Sequence, residues 1–481
     1  MICRINRRIM WLTVWGLFLS VPVGLFGQQE FACYDLTDNW YTRALNPSVV
    51  PGERKFHLGL LSTGVDIRNN AQVTAQDLST YFGGGQTVEA SQLFLDKLGN
   101  RPALAFDQRL DGLTFGFRLK GDFFFSAMHA YRLHGSAEVP RELPELILLG
   151  NDRVTFWDKT VNLAPVFKGV AWQEVRLALS KKAGNFTIGA GVNCMSGISA
   201  VESDPDKSAI SIYTDPGNLK VYTGNHYEFK SANLLETFSM YDLKPELTTV
   251  PFGSTNPFSP ALFAGTGFAF DAGFSWRISK WLLLSGSVLD YGGKINWKKN
   301  TYTFSVDEEY VYDGGEIAAE ALLNGADGLE LSDVALAALN ESFAFQRSES
   351  TFSTTVPTRC YARMTLRLSN AIGINLSYFR QERTLVPQEA FAAGLRLKPA
   401  RWLALGVLAV YGQAERPQLG ANLALSPGPI QFFLATDNIQ VFRQPELASR
   451  INFRTGLSLA FGKPPKEEKK EAFEKKESNQ F

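Results

Sequence analysis

The stretch Ile451-Asn-Phe-Arg-Thr-Gly-Leu-Ser-Leu-Ala-Phe461 decides the fold. Ile451, Phe453, Thr455, Leu457, Leu459 and Phe461 alternate with Asn452, Arg454, Gly456, Ser458 and Ala460. Successive side chains of a strand point to opposite faces, so a period of two gives one apolar and one polar face. Four more runs read the same way. Leu113, Phe115, Phe117 and Leu119 alternate with Thr114, Gly116, Arg118 and Lys120. Phe268, Phe270, Ala272, Phe274 and Trp276 alternate with Ala269, Asp271, Gly273, Ser275 and Arg277. Ala362, Met364, Leu366 and Leu368 oppose Arg363, Thr365, Arg367 and Ser369, while Phe391, Ala393, Leu395 and Leu397 oppose Ala392, Gly394, Arg396 and Lys398. Each run is about ten residues long, the length a tilted strand needs to cross the hydrocarbon layer. Strands of soluble sandwiches are nearer five or six residues.

Turn lengths follow the same logic. Membrane barrels have short periplasmic turns and longer outer loops. Working back from 450–462, the short turns Pro427-Gly428-Pro429, Pro399-Ala400, Ser369-Asn370 and Ser279-Lys280 fall on one side. The longer connections 437–449, 412–416, 381–388 and 291–358 fall on the other. A soluble β-protein has no reason to keep that parity. Trp276, Trp281 and Trp402 flank inner turns, and Trp172 and Trp297 lie near other strand ends, as interfacial aromatics do. The expected fold is all-β: a transmembrane antiparallel β-barrel of about 14 strands, in a range of about 12–16, with a small helical insert in one long loop. Residues 56–462 form the barrel. Residues 140–260 hold weaker strands, such as Ala209–Tyr213 and Leu219–Phe229. The acidic segment 307–349 turns Ala- and Leu-rich, and Ser332 offers a helix N-cap there.

The chain's ends carry addresses. Arg4, Arg7 and Arg8 precede the apolar stretch Ile9–Phe26, and Gly27 is a small residue before Gln28. This is the pattern of a signal peptide over 1–27, cleaved near Gly27-Gln28, and it implies export to the cell outer membrane. Residues 463–481 form a mixed-charge tail expected to be solvated and periplasmic.

Composition removes several function classes. Lys+Arg and Asp+Glu both total 48 among 481 residues, so no net field favours nucleic acid. The chain carries neither a Gly-rich phosphate loop nor close metal-ligand spacing, and no cofactor is expected. Cys33, Cys194 and Cys360 are scattered, and Cys194 is expected to pack as a small side chain. His129 and His134 lie five apart and so face opposite ways on a strand, which argues against a shared metal. Ser126 and His129 would make at most half of a lipase site, without an orienting third group, so no enzyme is expected. These histidines are read as interfacial polar groups.

Some segments resemble a known family. Arg43-Ala-Leu-Asn-Pro-Ser-Val-Val-Pro51 is similar to the Asn-Pro-Ala segment that follows the signal in FadL-like fatty-acid-transporter barrels and related Bacteroidota barrels. Leu289-Asp-Tyr-Gly-Gly-Lys-Ile-Asn-Trp297, Thr436-Asp-Asn-Ile439 and Asn452–Gly462 resemble their later strands. The nearest likeness is to a Bacteroidota outer-membrane family of unknown function. The resemblance implies that residues 28–55 form a lumen hatch containing Asn46 and Pro47, with Ser48 standing where relatives have Ala.

On the polar faces Arg118, Arg277, Arg363, Arg367, Arg396 and Arg454, with Asp271, are the expected lumen ligand set; Arg176 and Glu174 share those faces. Partly buried guanidinium groups need acceptors, and these would be an anionic ligand or acids of the N-terminal segment such as Asp35, Asp38 and Glu53. Two functions follow. One is transport of a hydrophobic or amphiphilic anionic small molecule. The other is a non-transporting barrel that serves as scaffold or partner of a secretion or motility complex. A lumen filled by side chains favours the second, and a lateral opening beside an apolar pocket favours the first. Either implies outer-membrane lipid and the barrel-assembly machinery as partners.

Overall fold

Fourteen antiparallel strands close into one barrel in the computed structural model. The structure describes residues 30–36, 39–51, 54–71, 73–74, 76–77, 88–149, 151, 154–218, 220–237, 246–247, 263–312, 344–412, 417–444 and 450–462. The signal read at 1–27, residues 313–343 of the acidic segment expected to carry the helical insert, and the tail 463–481 lie outside them. The wall runs β1 Phe56–Asn69, β2 Ala103–Arg118, β3 Phe123–Glu138, β4 Val166–Ala183, β5 Phe186–Ser203, β6 Gly265–Arg277 and β7 Leu282–Trp297. It continues as β8 Thr358–Arg367, β9 Ile372–Glu382, β10 Gln388–Ala400, β11 Leu403–Gly412, β12 Gln418–Leu425, β13 Ile430–Thr436 and β14 Arg450–Phe461. Each strand pairs with its neighbours, and β14 returns to β1 with Phe56 opposite Phe461 and Arg68 opposite Arg450. Closure satisfies every ladder without an open edge, the condition for strands in hydrocarbon.

The faces follow the alternation. Phe115, Phe270, Leu395 and Leu457 are exposed, and Asp271, Arg363 and Arg454 are buried. Exposed apolar rings on a closed wall belong to a lipid-facing belt. The turns 119–122, 184–185, 278–281, 368–371, 401–402 and 426–429 lie at one end, called inner here; all the longer connections lie at the outer end. Trp276, Trp281 and Trp402 are exposed near the inner end. Trp172 and Trp297, expected at the interface, are instead fully buried. Trp172 donates to Glu174 (3.3 Å) under the Arg132 guanidinium, and Trp297 donates to Thr354 (3.0 Å). Cys194, expected to be packed, faces outward and is exposed.

The outer end is more structured than the alternation implied. The connection read as a loop over 291–358 contains the last turns of β7 and strands at Thr301–Tyr312, Gln346–Glu349 and Phe352–Thr355. Thr301–Tyr312 pairs along its whole length with Val221–Ala232, and Phe229 stacks on Phe304 at 4.9 Å, so the two form an arm above the wall. The weak strands read at 209–213 and 219–229 appear as Ala209–Thr214 and Val221–Ala232. The described loop helices, Val88–Leu98 and Glu142–Leu149, belong to other loops than the one expected to carry helix.

Spin labels at Phe115, Phe270, Leu366, Leu395 and Leu457 are expected to report lipid rather than water. Replacing Phe270 with Arg is expected to cost about 2–4 kcal/mol in refolding into vesicles; water exposure at these labels would reverse the two faces.

Candidate functional site

Residues 30–51 do not alternate because they do not join the wall. They lie inside it. Phe31–Tyr34 makes one helical turn and Trp40–Ala44 a 3-10 turn, started by the Asn39 side chain, which accepts from the N–H of Tyr41 at 2.8 Å. Phe31, Tyr34, Trp40 and Tyr41 are buried against lumen-facing rings. Tyr34 stacks on Tyr361 at 4.9 Å, Trp40 on His57 at 5.5 Å, and Tyr41 tilts against Phe433 at 5.7 Å. Aromatic rings supply this much buried area at low entropy cost.

The wall holds the segment mainly by its backbone. Asp437 accepts from the N–H groups of Phe31 (3.1 Å) and Ala32 (2.7 Å). Burial pushes the Asp437 carboxyl, in the outer loop beyond β13, up to about 7, against the pull of those N–H groups and Arg450. Asn422 donates to the carbonyl of Ala32 (2.9 Å), Arg176 to Ala44 (2.6 Å), Ser287 to Leu45 (2.6 Å) and Ser180 to Pro47 (2.6 Å). Arg363 donates to the carbonyl of Tyr34 and lies 3.7 Å from Asp35. Asn46 donates to the carbonyls of Phe274 (3.4 Å) and Gly286 (3.2 Å). Two glycines make room for this stretch. A Cβ on Gly189 would sit 2.4 Å from the Pro47 carbonyl, and one on Gly273 would sit 2.2 Å from Asn46 Oδ1. Arg43 reverses the pattern: its guanidinium donates to Ser126 (2.6 Å) and to the carbonyls of Pro47 and Val49 (both 2.8 Å), and lies over Phe124.

Toward the outer end the lumen becomes ionic. Asp290 lies 2.7 Å from Arg132, 3.2 Å from Arg176 and 2.6 Å from Arg359, and accepts from Asn193 at 2.7 Å. Glu174 meets Arg109 (3.1 Å), Arg132 and Arg176 (both 3.4 Å). Asp271 meets Arg176 at 3.0 Å and accepts the N–H of Asp290 at 2.8 Å. Asp111 bridges Arg109 and Arg454 (both 2.8 Å), and Arg454 reaches Glu30 of the inner segment at 2.6 Å. Beside this cluster, Asp66 joins Arg450 (2.6 Å) to Arg68 (3.0 Å), and Asp107 joins Arg68 (3.2 Å) to His134 (2.8 Å). His134 in turn faces the Thr384 hydroxyl at 3.1 Å. All these arginines and carboxylates are buried. Opposite charges this close in low dielectric hold each other strongly, and leaving one unpaired is costly.

The expected lumen set divides. Arg363, Arg454 and Asp271 are in the buried lumen, with Arg363 and Arg454 on the N-terminal segment. Arg118 and Arg396 are half-buried near the inner mouth, where Arg118 donates to the carbonyl of Arg54 (3.1 Å). Arg277 and Arg367 are exposed at inner strand ends. Asp38 and Glu53 lie outside the described residues, and the acid that reaches Arg454 is Glu30. His134, read as interfacial, is buried in the lumen. Ser126 faces inward and His129 outward, so the two cannot act on one substrate.

The missed acids have a structural cause. In β2, Asp107, Arg109 and Asp111 face inward on odd numbers; an extra residue after Asp111 shifts the phase, and Thr114 and Gly116 face inward on even ones. In β7, two register shifts lie on either side of Tyr291, and the one before it contains Asp290, whose φ of 57° is left-handed; Leu289 and Asp290 both end up inside. Asp tolerates that conformation better than most residues, and bulges of this kind re-aim side chains.

A closed lipid-belted wall around its own N-terminal segment is a plugged transmembrane β-barrel. The chain belongs to a family of unknown function (DUF5723), whose model matches residues 47–437. No curated protein matches the sequence. Among solved structures, the toluene transporter TbuX of Ralstonia pickettii aligns at 10% identity over 88% of this chain and 95% of its own, with a TM-score of 0.42. A FadL homologue of Pseudomonas aeruginosa aligns at 14% over 86% of this chain and 91% of its own, TM-score 0.36. The translocator domain of the autotransporter NalP from Neisseria meningitidis aligns at 7% over 92% and 100%, TM-score 0.33.

Replacing Asp290 with Asn leaves three guanidinium groups without their shared carboxylate. The expected loss is about 3–5 kcal/mol of folding stability in denaturant titration. Asp307→Asn on the exposed arm is the control and is expected to change stability by less than about 1 kcal/mol.

Proposed function

We propose that this protein is exported to the outer membrane and acts there as a closed barrel that conducts nothing along its axis, serving as scaffold or partner of a larger envelope assembly. The observation that carries this reading is the filling of the lumen by residues 30–51, which are buried wherever described except for half-buried Val50. The inward arginines near the outer end are matched by carboxylates of the protein itself, so they do not need an anionic solute to balance them. What remains for function is the two ends: the outer loops and arm, and the inner turns.

A second reading keeps one observation in its favour. Apart from its continuity with β1, the segment is held by non-covalent contacts alone, and Arg363 and Arg454 hold its charged side chains. Displacing it would open a path for a hydrophobic or amphiphilic anionic small molecule, the type of cargo the resemblance to FadL-like barrels implies.

Planar-bilayer recording separates the two. The protein is expected to show no steady conductance, and Arg363→Gln with Arg454→Gln is expected to add protease cleavage before Phe56 and ion flow. Uptake of a labelled anionic amphiphile into vesicles by the unaltered protein, lost in Arg363→Gln without a change in heat stability, would establish transport instead.

A further inference from the structure

β13 stops short of its neighbours. It is the shortest strand of the wall, at seven residues. Its last pairs are Thr436 with Ala421 on β12 and Ala435 with Arg454 on β14. Above them β12 runs on to Gln418 and β14 to Arg450, and each stays paired on its far side, Leu419 with Ala409 and Phe453 with Val65. Between these two strand ends the wall is made by Asp437, Asn438 and the 3-10 turn Ile439–Phe442, which packs against both β12 and β14.

Side chains replace the ladder there. Asn438 donates to the carbonyl of Arg450 (2.9 Å) and accepts from the N–H of Gln440 (3.1 Å). The Thr436 hydroxyl donates to the carbonyl of Asn452 (2.5 Å), and the Asn452 side chain accepts the N–H of Asp437 (3.0 Å). Backbone that finds its partners inside the protein can face hydrocarbon. The outward side chains suit that position. Phe442 is as exposed as Phe270 of the lipid belt (both 59%), and Ile439 is exposed as well. By register, exposed Leu419 on β12 and half-buried Ile451 and Phe453 on β14 flank the turn. The apolar belt therefore crosses the gap above β13 on the turn.

The inner side of the same stretch holds the plug. Asp437 accepts from the N–H groups of Phe31 and Ala32, and Asn422 of β12 donates to the carbonyl of Ala32. One residue, Asn438, separates the carboxylate that grips the tip of the N-terminal segment from an apolar turn directed outward. Because Asp437 lies beyond the last ladder pair, its position depends on those side-chain bonds and on where the turn sits.

We infer that the turn Ile439–Phe442 is a lipid-seated latch: acyl chains of the bilayer pack on Ile439 and Phe442, and this seating keeps Asp437 on the backbone of Phe31 and Ala32. The occupant is lipid because the patch is continuous with the belt on both flanking strands. Two apolar side chains that keep their hydrocarbon surroundings hold the turn against the wall, and polar ones in their place do not. The inference rests on the closed-barrel reading proposed above and names what holds the plug at its tip.

The test uses the mature protein refolded into phosphatidylcholine vesicles. Cys33 follows Ala32 and is buried, so with Cys194→Ser and Cys360→Ser it is a single thiol that reports the tip. Ile439→Ser with Phe442→Ser is expected to speed its reaction with a maleimide about ten-fold, within the ordinary span of coupling between two sites. Asp437→Ala should speed it as well. Phe391→Ser, which changes a similarly exposed belt residue on β10, should leave the rate unchanged. A nitroxide on Phe442→Cys, with the other cysteines replaced by serine, should meet oxygen more readily than an aqueous nickel complex. Heat-dependent gel mobility reports folding. Should the serine pair not fold, Ile439→Ala with Phe442→Ala takes its place. A label in water, a Cys33 rate unchanged by the paired variant or by Asp437→Ala, or equal speeding by Phe391→Ser would overturn the inference. A steady conductance of the unaltered protein would refute the closed-barrel reading while leaving the label position and the Cys33 coupling standing, so the two can fail separately.

Discussion

A charge shut inside a barrel wall needs close partners, and most of this lumen follows from meeting buried charges with opposite ones. Moving an ion out of water costs several kcal/mol even after relaxation, and only close, multiply bonded partners recover it. Asp290 is the point on which the cluster turns, because three guanidinium groups from β3, β4 and β8 converge on it. Through Glu174, Arg109 and Asp111 the same ties reach β2 and β14, and through Arg454 they reach Glu30. Strands far apart in sequence are thereby fixed at one depth. The N-terminal segment is tied to that frame rather than loosely stowed in it.

The wall was legible because lipid permits only one pattern. Five quoted runs alternate, and in each the apolar members face outward. Their period alone did not fix the strand number, which came from counting such runs; the turn parity separated the short-turn end from the long-loop end. The interior was legible only where that phase holds unbroken, as at Arg363 and Arg454. A bulge in β2 hid Asp107 and Asp111, since a reading extended back from Phe115 at constant period puts them on the lipid side. A left-handed Asp290 hid the centre of the cluster, because no period-two rule allows Leu289 and Asp290 on the same face. Trp172 and Trp297 misled for a related reason. A tryptophan near a strand end fits an interface, but each has an indole N–H satisfied inside the barrel, by Glu174 and Thr354.

The N-terminal segment was legible by resemblance rather than by pattern. Its contacts with the wall run largely through its own carbonyls at Ala32, Tyr34, Ala44, Leu45 and Pro47. Backbone recognition leaves little trace in the side chains of the recognised segment; the trace lies in the donors opposite. Asn46-Pro47 is an exception, because the wall approaches it so closely that Gly189 and Gly273 must lack side chains. A short polar turn with small opposite residues is a constraint that a motif can carry.

The same period that separates lipid from lumen also sorts charge at the inner end. A strand that places Leu395 and Leu397 outward must place Arg396 and Lys398 toward the axis, and β6 and β8 obey the same rule with Trp276 and Arg277, and with Leu366 and Arg367. Higher in the barrel, inward cations are closed off from water and have to be answered by acids within the fold. At the inner mouth the strand-end cations are partly open to water, so folding does not require each of them to meet a buried acid. Desolvation forces neutrality on the buried part of the lumen, but it puts no such demand on the mouth.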